Sequence, residues 1–175
     1  MQVAASWSGG KDSCLACHMA LKYGYLVTNL VNFVSGETKT VTVHGVRGYI
    51  IRRQAQAVGI PLIQYIVPPG ANSYEKKLKK VMSTLKNRGV EGMVFGDIYL
   101  QEHKDWIDRV CNEIGITPVL PLWEMETVEV LRELVSSGYE AIIVSARADL
   151  FGQEWLGRSL NHRSLSELTK LCQLY

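Results

Sequence analysis

Short apolar runs rich in β-branched residues alternate with amphipathic stretches along most of this chain, and few architectures tolerate that pattern. The apolar runs are residues 2–5, 26–34, 62–67, 92–95 and 141–145. Between and after them, helical periodicity covers 12–23, 48–58, 74–88, 101–114, 127–136 and 164–174. Gly24, Gly59, Gly89, Gly115 and Gly138 stand where helices should stop, as residues suited to C-terminal caps. Strands that are apolar throughout, each followed by a helix, predict a parallel sheet covered on both faces. The expectation is one α/β domain, doubly wound and Rossmann-like, with a mainly parallel five-stranded sheet. Its ligands should lie beyond the carboxyl ends of the strands.

At 175 residues with 47% hydrophobic and 21% charged residues, the chain can bury one full-sized core and is neither disordered nor membrane-like. No run approaches the roughly 18 apolar residues of a spanning helix, and the start lacks a signal peptide's basic and apolar regions. The reading is therefore cytoplasmic, with no membrane partner and four reduced cysteines. The net charge is +2. The dense basic stretch Lys76-Lys77-Leu78-Lys79-Lys80 reads as the solvated face of an amphipathic helix, so no nucleic acid is expected.

Residues 4–18, AASWSGGKDSCLACH, contain two competing motifs. Cys14, Cys17 and His18 spell the C-x-x-C-H of a haem attachment site. That chemistry needs export, and a zinc reading needs a second ligand pair that does not follow. Small apolar residues packing a helix on the sheet explain the cysteines better. From the left, the stretch reads strand, Ser8-Gly9-Gly10, then a helix beginning near Asp12. Two glycines let backbone N–H groups approach an anion, and a helix N-terminus adds free donors and partial positive charge. Ser8 and Ser13 add hydroxyls, Lys11 a point charge and Asp12 a magnesium contact. An Asp after the Lys separates this loop from the common G-x₄-G-K-[ST] type.

S-G-G-K-D-S after an N-terminal strand resembles the signature of the PP-loop ATP pyrophosphatases. The segments VHGVR (43–47), QAQAVGIPL (54–62), GVEGMVFGDI (89–98), GITPVLPLWEMET (115–127), SGYEAIIVSARADLF (137–151) and EWLGRSL (154–160) extend the likeness over the whole chain. Together they resemble the diphthine–ammonia ligase family, also called the diphthamide synthase or ATP-binding-4 family. The chain ends at Tyr175, ahead of that family's Gly- and Glu-rich segment. VHGVR is more similar to the bacterial branch, which leaves another acceptor open. The resemblance implies an adenine nucleotide alpha-hydrolase-like fold, with residues 1–175 as one ATP-binding domain and 118–175 as its acceptor side. It implies ATP and Mg²⁺ as cofactors, ammonia as co-substrate and diphthine on elongation factor 2 as acceptor. The carboxylate would be adenylated and then amidated, releasing AMP and pyrophosphate. Two alternatives are an adenylating enzyme for a small molecule or tRNA, and a nucleotide sensor without catalysis. A homodimer is left open.

Under the resemblance, Ser8, Gly9, Gly10, Lys11, Asp12 and Ser13 hold phosphates and metal. The crevice position assigns the adenine's flanks to Ala5, Ser6 and Trp7 and to Asn32, Phe33 and Val34. His44 is a candidate donor to the α-phosphate or oxyanion. Gly96 would meet the nucleotide. Asp97 and Glu102 are candidates to hold ammonia or magnesium, each against a plain helix-entry role. Trp155 and Arg158 form a candidate clamp for the acceptor. No Cys or Ser nucleophile stands beside a His, which disfavours covalent acyl catalysis.

Overall fold

A computed structural model describes residues 1–41, 45–68 and 73–172. The chain divides into two compact units, Met1–Glu124 and Met125–Tyr175. The first runs β1 (Gln2–Ser6), α1 (Lys11–Lys22), β2 (Leu26–Ser35), α2 (Gly48–Val58), β3 (Leu62–Val67), α3 (Ser73–Lys86), β4 (Gly92–Val94), α4 (Gln101–Ile114) and β5 (Thr117–Val119). The strands form one sheet in the order β3-β2-β1-β4-β5, and every pairing is parallel.

Period-two alternation divides the strand residues between two helical layers. Ala4, Val31, Phe33, Met93 and Phe95 pack with Leu78, Val81, Met82 and Leu85 of α3 and Ile107, Val110 and Cys111 of α4. The opposite face carries α1, which buries Leu15, Ala16, Cys17, Met19 and Ala20, and α2, which buries Ile51 and Ala55. Burial at roughly 25 cal/mol per Å² of apolar surface is the main stabilising term on both faces. Gly59 and Gly115 end α2 and α4 at φ of +76° and +71°, where a side chain would be strained.

The fifth strand is not the expected one. Thr117–Val119 occupies the sheet edge beside β4, while Ala141–Ile142 (β6) pairs antiparallel with Ser159–Leu160 (β7) in a separate ribbon. Pro118 has no N–H to donate, which hides a strand from pattern reading, yet an edge position tolerates it. Residues 141–145 look like a core strand by composition, but Ile142 and Val144 are exposed.

The second unit holds α5 (Thr127–Ser136), β6, a 3₁₀ turn at Gln153–Trp155, β7 and α6 (His162–Cys172). Helices α5 and α6 pack together. Among the described residues, no helix is long and apolar enough to cross a membrane.

Candidate functional site

Reversal of strand order on either side of β1 leaves a crevice at the carboxyl ends of β1 and β4. The loop from Trp7 to Gly10 fills its floor. Trp7 is buried and donates its N–H to the Val31 carbonyl at 2.8 Å. Gly9 sits at φ +80°, and a Cβ there would lie 2.3 Å from Ile51 Cδ1 and 2.7 Å from Gln54 Oε1. The positive φ favours glycine there, and any side chain would be strained and have to displace both neighbours. Gln54 braces the turn twice: its amide donates to the Gly9 carbonyl (3.1 Å), and its oxygen accepts from Trp7 Nε1 (3.1 Å).

Helix α1 starts at Lys11 with no side-chain cap. The serines knit the loop internally. Ser8 Oγ donates to Ser13 Oγ (3.1 Å), Ser13 Oγ donates to the Gly10 carbonyl (3.0 Å), and Gly10 N–H reaches Ser8 Oγ (3.3 Å). Lys11 Nζ meets Asp12 Oδ2 at 2.8 Å. The other carboxylate oxygen, Asp12 Oδ1, is buried with no partner. A buried carboxylate oxygen without a donor or cation is strongly disfavoured, so this atom fits a bound cation. Among the described residues no group of three or more His, Cys, Asp or Glu surrounds it. A cation here would complete its shell with water and phosphate oxygens, the habit of Mg²⁺.

Just past β4, the chain closes on the first turn of α1. A Cβ on Gly96 would stand 2.8 Å from Asp12 C and 2.9 Å from Asp12 O and Ser13 N. This contact delivers Asp97 to the crevice, where Oδ1 lies 3.2 Å from His103 Nδ1 at the start of α4. Tyr74 comes in from α3. Burial of its hydroxyl and then the Asp97 carboxylate push the phenol up to about 12, while a hydrogen bond from Ser6 pulls it down. Ser6, Tyr74, Asp97 and His103 thus form one polar cluster beside the glycine loop.

The residues expected to flank adenine have distinct surroundings. Asn32 is 1% exposed; its amide donates to the Trp7 carbonyl at 2.7 Å and its oxygen accepts from Gln64 Nε2 at 2.9 Å. It supports the loop through its side chain. Phe33 turns to the α3 layer, 5.0 Å edge-on from Tyr74, and Val34 to the α2 layer. Ala5 is buried and Ser6 half-buried beneath the loop. Glu102 is exposed in the first turn of α4. His44 lies outside the described residues.

In the second unit, Trp155 is buried and the Arg158 guanidinium stacks 4.1 Å from its ring centroid. Arg158 also pairs with Glu167 at 2.5 Å and holds that carboxyl below its usual range. In α1, Cys17 is buried and Cys14 half-buried. Burial pushes their thiols up to about 12 and about 11, leaving little of the thiolate that metal binding or redox exchange requires.

Gln54, Gln64, Tyr74 and His103 were not legible as site residues. Two left a signal: Gln64 interrupts the apolar run 62–67, and Gln54 falls between the apolar positions Ile51 and Ala55 on the inner face of α2.

A glycine turn feeding a helix without a side-chain cap, at the switch point of a 3-2-1-4-5 parallel sheet, is an arrangement that α/β proteins use to present anion sites. The chain belongs to the diphthamide synthase N-terminal domain family, whose profile matches residues 1–118. It is similar to the diphthine–ammonia ligases of Rattus norvegicus (27% identity over 194 residues) and Homo sapiens (27% over 192), covering 97% of this chain and 72% of each relative. The Schizosaccharomyces pombe diphthine–ammonia ligase is 23% identical over 91% of this chain and 29% of its own length. A crystal structure described as a predicted subunit of tRNA methyltransferase from Methanocaldococcus jannaschii shares the fold, with a TM-score of 0.51 and 17% identity over 97% of this chain and 87% of that one.

Proposed function

We propose that the protein is an ATP-dependent amide ligase that adenylates a carboxylate and passes the acyl group to ammonia. The observation that carries the reading is Asp12, whose buried Oδ1 lacks a partner beside Lys11 at the open start of α1. Membership of the diphthamide synthase family, and relatives named diphthine–ammonia ligase, support the choice of carboxylate and nucleophile.

In this reading ATP lies with its phosphates on the Ser8–Ser13 loop. The acceptor carboxylate oxygen attacks the α-phosphorus, the bond to the β-phosphate oxygen breaks, and pyrophosphate leaves. Lys11 and the N–H groups at the start of α1 bind the charge that grows on the departing phosphates. Asp12 would hold a magnesium ion, whose charge would add to that neutralisation. Ammonia then attacks the acyl carbon, AMP departs, and the new ammonium group loses a proton. In this reading Asp97, 3.2 Å from His103, accepts it. Diphthine on elongation factor 2 is the acceptor this reading names.

Product analysis tests the proposal. With ATP, magnesium, ammonium and diphthine-bearing elongation factor, AMP and pyrophosphate should form in equal amounts with the amide. Carboxylate ¹⁸O should appear in AMP. ADP and phosphate with every acceptor would place the cut at the γ-phosphate and defeat the idea, whereas intact ATP with every acceptor would favour a sensor. Turnover with a different carboxylate would keep the mechanism and replace the acceptor.

A further inference from the structure

Past the carboxyl ends of β2 and β3, on the face that carries α2, lies a cavity of 450 Å³ lined by Thr38, Lys39, Arg47, Tyr49, Arg52 and Gln64, among others. Three of these are cations, and none of the lining residues is acidic. Among the described residues, none of the three has a carboxylate partner. All three are exposed and water solvates them, but three positive charges around one cavity with no acidic residue among its lining give it a positive potential that favours an anion.

The walls of the cavity are built by the fold. Lys39 sits at φ +57°, a region that non-glycine residues occupy mainly where their surroundings impose it. Its N–H reaches the Ser35 carbonyl (3.1 Å) and its carbonyl accepts from Gly48 N–H (3.1 Å). An isolated antiparallel bridge joins Thr40 to Arg47. Arg52 donates to Gln64 Oε1 at 2.6 Å, and Gln64 Nε2 donates to both the Gly48 carbonyl (3.0 Å) and Asn32 Oδ1 (2.9 Å). Asn32 in turn holds the Trp7 carbonyl. A continuous chain of hydrogen bonds therefore runs from the cavity wall to the glycine loop.

We propose that this cavity is a second oxyanion site, separate from the loop, that takes a phosphate monoester or carboxylate group carried by the acceptor. Its assignment to the acceptor rests on the ligase reading; its capacity to bind an oxyanion does not. Backbone-amide NMR titrations of the full chain with inorganic phosphate, and in a separate arm with succinate, test it with and without saturating α,β-methylene-ATP. Saturable shifts are expected at Thr38, Lys39 and Tyr49 in both conditions, and the stronger of the two probes identifies the acceptor's group. A folded Lys39→Ala, Arg47→Gln variant should bind the probe at least ~10-fold more weakly, as loss of charge-assisted hydrogen bonds predicts. Arg47→Lys, which keeps the charge, should stay within ~3-fold of the parent. Displacement of phosphate from these amides by the ATP analogue would assign the cavity to the nucleotide and overturn the proposal. Unchanged probe binding in the double variant, or no saturable shift with either probe, would overturn it too. If the analogue binds nowhere, the ligase reading fails, and the titration of the free protein still decides the cavity.

Discussion

A single methyl group separates the two kinds of residue in the glycine loop. On Gly9 it would enter the van der Waals space of Ile51 and Gln54 at a positive φ. On Lys11, truncation removes a half-exposed amine whose contact is its neighbour Asp12. Their substitutions should therefore fail differently. Gly9→Ala is expected to destabilise the fold by on the order of 2–4 kcal/mol, combining left-handed strain with overpacking. Lys11→Ala should leave the urea midpoint nearly unchanged and weaken ATP binding ~10-fold, the scale of one charge-assisted contact. Urea unfolding and calorimetric titration of both variants check the pair. A Gly9→Ala protein as stable as the parent would contradict the loop geometry, and unaltered ATP affinity in Lys11→Ala would remove the phosphate role. These residues were readable because all of them lie within one strand–turn–helix stretch. Tyr74, His103 and Gln54 reach the same crevice from separate helices, and only topology brings them there.

Helices α3 and α4 are tied by a charged network on their outer faces. Glu75 accepts from Trp106 Nε1 at 2.7 Å, from Arg109 at 2.8 Å and from Lys79 at 2.6 Å; Glu113 shares Lys79 and Arg109. Arg109 first, then Lys79 and Trp106, hold the Glu75 carboxyl well below its usual range, and Lys79 and Arg109 lower Glu113. A depressed carboxyl stabilises the folded state fully above its unfolded pKa of about 4.3, and that contribution disappears as pH falls through the folded value. Exposed pairs are individually weak, so the useful observable is the pH dependence. The Tm difference between the parent and Glu75→Gln should be positive at pH 7 and shrink steadily below pH 4.5. A gap that stays constant to pH 2.5 would mean that packing, not charge, joins these helices. The same scale shows what pattern reading captured. Helices α2, α4 and α5 were legible to the residue because long amphipathic periodicity meets a cap or a turn at each end. Strand β5 was not, since three residues containing a proline carry no periodicity. Residues 141–145 were mistaken for it, because an apolar β-branched run looks alike in a buried parallel sheet and in an exposed two-stranded ribbon.

For the whole chain, alternating strands and helices predict a doubly wound parallel sheet with its ligand side at the carboxyl ends of the strands, but the order 3-2-1-4-5 is fixed only by the fold. Where the chain partitions was less legible, as no Gly- or Pro-rich linker interrupts it near Glu124. The first unit contains the entire five-stranded sheet, both helical layers and every residue of the glycine loop. The second contributes a two-stranded ribbon and two helices, with Val130, Leu134, Trp155 and Leu165 as its buried apolar side chains. A two-stranded ribbon is marginal by itself, and a chain of that size buries too little surface to offset its ordering entropy. Residues 1–124 expressed alone should therefore unfold cooperatively in urea and bind α,β-methylene-ATP within ~3-fold of the full chain. Residues 125–175 alone should show little helical circular dichroism and no cooperative melt. A 1–124 fragment that lacks a cooperative transition would show that its core is not self-sufficient. A cooperatively folded fragment that has lost the nucleotide would move part of the binding site out of the loop and into the second unit.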